Sequence, residues 1–163
     1  MRAAHLPFIA SACLFCAAAA AQAPPVPPVP QYGVNVTHEQ ARKALAGAIA
    51  EARKQNLPMA VAIVDTAGQL VAFERMDNTQ TASTGVAQDK AVSAAMYRRP
   101  SKVFQDLVAG GGVGLRVLTL RGAVAVEGGL PIVMDGKIVG AIGVSGGSSE
   151  QDGVVAKAGL DAK

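Results

Sequence analysis

The chain has 163 residues, enough for one domain, and half of them are hydrophobic. A net charge of +3 is too small to argue for nucleic acid or an anionic membrane as partner. Four Phe, two Tyr and no Trp leave little material for a base-stacking platform.

The first segment reads as a secretory signal. Arg2 precedes an apolar run from Leu6 to about Ala21, and Ala21-Gln22-Ala23 has the form of a cleavage site. An uncleaved membrane anchor is the alternative; lipid attachment at Cys13 or Cys16 ranks below both, because Phe15 is bulky and Cys13 lies very early. Residues 1–23 are therefore expected to be removed and the protein to be periplasmic or secreted. Cleavage would also remove both cysteines and His5, leaving no disulfide, no thiol chemistry and no cysteine metal site. Residues 24–33, "PPVPPVPQYG", are proline-rich and read as an extended tether.

The folded domain is placed at 34–163. Thr37 and Gln40 form a capping box ahead of a helix that buries Ala41, Ala44, Leu45, Ala48, Ile49 and Ala52 on one face and ends near Asn56. Met59–Asp65 and Gln69–Arg75 are strands joined by a tight Asp65-Thr66-Ala67-Gly68 turn, hence an antiparallel hairpin. A helix from Ser83 to Tyr97 stops before Pro100, and a short one follows over Ser101–Val108. "AGGGVG" (109–114) is a connector that lacks the Lys-Ser/Thr end of a phosphate loop. Val117–Glu127 holds strand-like apolar runs broken by Arg121-Gly122. Leu130–Met134 and Lys137–Val144 form a hairpin across an Asp135-Gly136 turn, and Ser148 or Ser149 caps the final helix. Hairpin connections with helices between them predict an α+β fold, an antiparallel sheet of about five strands flanked by helices, and exclude a Rossmann crossover.

The chemistry-bearing residues are few. Without the signal segment, His38 is the only histidine and no zinc-protease motif is present; "GVSGG" (143–147) superficially resembles a serine elbow at Ser145, but a triad there would have to use His38 at a helix start. Lys90 lies in a helix of Ala, Val and Ser, so it is either a solvated group or a buried one with Asp65, Asp77 or Asp152 as partner. Arg75 ends a strand and can hold a carboxylate. The glycine pairs Gly128-Gly129 and Gly146-Gly147 bracket the last hairpin and read as places where a ligand approaches the backbone. Gly146, Gly147, Ser148 and Ser149 put backbone N–H groups at a helix N-terminus, a geometry that favours an anion or, more plainly, a capped helix.

Five blocks in order carry a family resemblance: Val64-Asp65 through Arg75-Met76-Asp77, Lys90-Ala91, Gly128-Gly129-x-Pro131-Ile132, Val139 through Gly146, and Gln151-Asp152. Together they resemble the GlcG/HbpS family and are similar to the C-terminal domain of PduO-type corrinoid adenosyltransferases. The resemblance implies homo-oligomers and, for some members, haem. On that basis the expected ligand is haem or a related tetrapyrrole. His38 is the candidate for iron, with Tyr32, Tyr97, Met76, Met96 and Met134 as further axial candidates. Arg75, Lys90 and Gly146–Ser149 are candidates for the propionates. Two other readings stand beside it. One is a cofactor-free enzyme acting on a small carboxylate or aldehyde with Lys90 as acid–base group; the other is a passive assembly module whose glycines only permit close packing.

Overall fold

A computed structural model describes residues 28–162. The signal segment, the first residues of the tether and Lys163 lie outside the described residues. Four strands, β1 (Ala60–Asp65), β2 (Leu70–Arg75), β3 (Gly129–Met134) and β4 (Lys137–Ser145), form one antiparallel sheet in the order β2-β1-β4-β3. Each outer strand is the hairpin partner of an inner one, and the β1–β4 ladder joins the two hairpins at the centre. Asp135 and Gly136 both have positive φ (49° and 72°), as a two-residue turn of the mirror-image type requires.

Helices α1 (His38–Lys54) and α4 (Ser149–Asp161) cover one face and α2 (Ser83–Tyr97) the other, with the short α3 (Lys102–Ala109) following α2. Alternation along the strands divides the core in two. Met59, Val61, Ile63, Ile142 and Val144 pack with α1 and α4, whereas Ala60, Ala62, Val64 and Ala141 meet Ala87, Ala91, Ala94 and Ala95 of α2. The second layer is built of small residues so that α2 can lie almost on the strands. A Cβ added at Gly143 would sit 2.0 Å from the carbonyl oxygen of Ala87. Both expected capping boxes are formed, at Thr37–Gln40 and at Ser148–Gln151.

One expected element is corrected. The run after residue 117 contributes no strand: Gly112–Thr119 is a 3-10 helix, and the chain then turns through Gly122 at φ 75° to reach β3. A single residue forced to positive φ in mid-run breaks a strand, and no sheet edge is left for it beside β1 or β4. The position beside the start of β4 is instead taken by residues 31–36. Ile138 N–H donates to Gln31 O, Gly33 N–H to Ile138 O and Val36 N–H to Val139 O, with Tyr32 in a parallel bridge to Ile138. The end of the proline-rich segment is thus stitched to the domain. Tyr32 O–H also donates to the carbonyls of Ala95 and Met96 at the end of α2 (2.8 and 3.1 Å).

Candidate functional site

Lys90 leaves α2 on the buried face that carries Ala87 and Ala94, about one turn from each, so its stem is aimed at the sheet. It is 1% exposed. Its ammonium passes through the gap beside Gly128 and reaches the opposite layer, where it donates to Asp152 Oδ2 of α4 (2.7 Å) and to Val144 O of β4 (3.1 Å). Asp152 is 3% exposed and uses its other oxygen to accept the Gly147 N–H (2.9 Å). Burial pushes the Asp152 carboxyl above the usual carboxylate range, a rise opposed by Lys90 and the Gly147 amide. Among the described residues this is the one ion pair removed from water.

The glycine pairs serve this internal junction. A Cβ at Gly128, where φ is 123°, would stand 2.9 Å from Lys90 Nζ and 2.8 Å from Asp152 Cβ. One at Gly129 would meet the Lys90 carbonyl oxygen at 2.3 Å. At Gly146 and Gly147 the neighbours are Pro58, Met59 and Gln151. The close approach expected of a ligand is therefore made by the protein's own backbone and side chains. The turn amides are likewise taken: Gly147 N–H by Asp152, Ser148 N–H by Gln151 Oε1 (2.9 Å). In this chain Lys90 and the Gly146–Ser149 turn hold each other through Asp152 and do not face an outside anion, which corrects their expected role. Of the other two weighed partners, Asp65 bonds its own turn at Ala67 and Gln69, and Asp77 is exposed in the loop after β2.

His38 is elsewhere. It is the exposed first residue of α1 and borders a hollow of about 230 Å³ beside β2, with Arg42, Leu45, Ala46, Ala72, Phe73 and Glu74. The floor is apolar, and Arg42 stands one helical turn beyond the imidazole. Sequence reasoning missed Arg42; the i, i+4 spacing from His38 on a helix with a strongly marked inner face is the signal that finds it. Arg75 is exposed at the end of β2, in a separate surface depression with Arg53, Glu74, Met76 and Asp77. Of the other iron-ligand candidates, Tyr32 and Tyr97 spend their hydroxyls on backbone carbonyls. Among the described residues no group of three or more His, Cys, Asp or Glu is placed to hold a bare metal ion.

These features define a small α+β domain that keeps its one buried ion pair inside and its ligand-sized hollows at the rim of the sheet. The chain belongs to the HbpS-like family: the model described as "Haem degrading protein HbpS-like" matches residues 36–161. It is 37% identical over 112 residues to protein GlcG of Escherichia coli (strain K12), covering 69% of this chain and 82% of GlcG. Its fold is similar to crystal structures of HbpS (TM-score 0.73, 28% identity, 80% of this chain and 92% of that one) and of a PduOC:heme complex (TM-score 0.72, 28% identity, 80% and 96%).

Proposed function

We propose that the chain is an exported haem-binding protein that takes the macrocycle at the His38 hollow. The observation that carries this reading is an exposed imidazole above an apolar floor with a guanidinium one turn away, in a family with a solved haem complex. The donor set fits the group: imidazole for iron, Leu45, Ala46 and Ala72 for the ring, and Arg42 for a propionate. Haem would bring iron-centred redox and oxygen chemistry; the protein's share is to hold and orient it. At about 230 Å³ the hollow is smaller than ligand pockets of about 300–1,000 Å³. Part of the macrocycle would therefore remain uncovered on one chain, and a second copy closing over it makes the functional unit a homo-oligomer. The apolar run before Ala23 supports periplasmic or secreted placement, with haem sensing, storage or degradation as the roles compatible with it.

Absorbance titration of the purified protein with haem is the test. A saturable Soret shift is expected, lost or strongly weakened in His38→Ala and reduced in Arg42→Ala. An absent shift removes the reading, and an unchanged spectrum in His38→Ala removes the ligand assignment. The enzyme reading has lost its acid–base group, since Lys90 is sealed against Asp152. The assembly-module reading draws support from the internally packed glycines and from exposed Val113, Leu115 and Leu118 on the 3-10 segment. A stable oligomer without any haem response would favour it.

A further inference from the structure

A second cleft opens at the opposite edge of the sheet. It measures about 550 Å³ against about 230 Å³ at His38, within the usual range for small-molecule sites. α1 forms one wall, the edge strand β3 another and the end of α4 the third. The two sites share α1 but use different flanks of it: His38 and Arg42 face β2, whereas Gln40 and Lys43 face β3. α1 and α4 can close the floor because Gly159 lies against Ala44, where a Cβ would come within 2.7 Å of the Ala44 carbonyl oxygen.

The lining has a polarity that selects a ligand class. Ile132, Met134 and Leu160 are apolar and pack on the α1/α4 side of the sheet, where the cleft lies. Among the described residues Lys43 is the single charged side chain in the lining, and no carboxylate side chain lines it. Among the described residues Lys43 enters no ion pair. The Gln40 carbonyl oxygen is already used, accepting the Thr37 N–H at 2.9 Å, so its NH₂ is what remains for a guest. The polar side chains of the lining, Lys43 and the Gln40 NH₂, are thus donors with one positive charge, and the other lining side chains are apolar. A dianionic, iron-bearing macrocycle does not match one ammonium and no imidazole. We infer that this cleft binds an aliphatic monocarboxylate, with its head on Lys43 and Gln40 and its chain along Ile132, Met134 and Leu160.

Calorimetric titration of the intact protein with decanoate, octanoate and decanol tests the inference. Decanoate is expected to bind saturably at one site per chain. Octanoate, two methylenes shorter, should bind about fifteenfold more weakly if both are buried. Decanol, without the charge, should lose about tenfold. Lys43→Gln should weaken decanoate by about tenfold and leave decanol unchanged, while Lys43→Arg retains decanoate binding. Leu160→Trp, at a half-buried position that lines the cleft, should fill it and block both ligands. His38→Ala should change nothing, so the haem reading and this one fail independently. No saturable decanoate binding below about 1 mM overturns the inference. So does equal binding of decanol, an undiminished affinity in Lys43→Gln, or loss of decanoate binding in His38→Ala. Lys43 is exposed on α1, so its variants are expected to melt as the parent does, and melting curves check that each effect is one of binding.

Discussion

Replacing Lys90 by Met is the sharpest perturbation of this fold. Methionine keeps the length and bulk of the stem and deletes only the ammonium. Asp152 is then left buried with only backbone N–H groups of the Gly146–Gly147 turn to compensate it. Removing one partner of a buried pair costs about 3–5 kcal/mol, because the other charge is left uncompensated. Against a total stability of about 5–15 kcal/mol the loss is large, and for a domain of this size it lowers Tm by about 10–20 °C. The pH dependence gives the mechanism its own signature. Burial already raises the Asp152 carboxyl in the intact protein, with Lys90 opposing the rise. Without Lys90 the rise is larger. A carboxyl whose folded pKa lies above its unfolded value binds its proton more tightly in the folded state. Its contribution to stability is complete below the ordinary value of 3.8 and is lost as pH climbs through the folded pKa. The deficit of Lys90→Met is therefore expected to be greatest at neutral pH and to shrink towards about pH 4. Urea unfolding followed by circular dichroism at several pH values measures it. Adding Asp152→Asn to Lys90→Met should recover much of the loss, since a neutral amide tolerates the site better than a lone carboxylate. A loss below about 1 kcal/mol at neutral pH, or one that is flat with pH, would refute the claim that the pair is a sealed charge junction.

Two further changes probe the layers. Gly143→Ala puts a methyl 2.0 Å from the Ala87 carbonyl oxygen and 2.5 Å from the Ala91 nitrogen, so α2 must lift from the sheet; a loss of about 3 kcal/mol or more in urea unfolding is expected. Tyr32→Phe removes the hydroxyl that donates to Ala95 and Met96, at a cost of about 1 kcal/mol, and should speed amide exchange at Gly33 and Val36, whose N–H groups tie residues 31–36 to β4.

What the residues reveal before folding is what local physics decides. The six inward positions of α1 follow from helical spacing alone, and all six are buried. α2 spans Ser83–Tyr97, as the helical pattern ahead of Pro100 indicates. Pairings between distant segments are another matter. Nothing local indicates that β1 lies beside β4, or that the end of a proline-rich stretch completes the β4 ladder where β1 has already ended at Asp65. The apolar residues after 117 resemble a strand because apolar content marks burial or contact without specifying a partner. Leu118 and Leu120 are in fact exposed, at 66% and 43%.

The site shows the same division with more consequence. An isolated lysine among alanines indicates burial, and Asp152 is one of three acids weighed for it, yet only the fold brings together residues 62 positions apart. Glycine is the more instructive case. A glycine pair next to a helix start has one sequence signature whether the approaching atoms belong to a ligand or to the protein, since both need the space a Cβ would fill. Here α2, Lys90 and Met59 fill it. The same packing explains where ligands can go. A sheet that holds a helix within backbone contact on one face, and two helices across glycine contacts on the other, leaves no room at its centre. Open volume is left where α1 overhangs the sheet edges, beside β2 with His38 and Arg42 and beside β3 with Lys43. The glycine pairs, whose sequence signature also suits a binding surface, here make the interior solid and leave open volume at the rim.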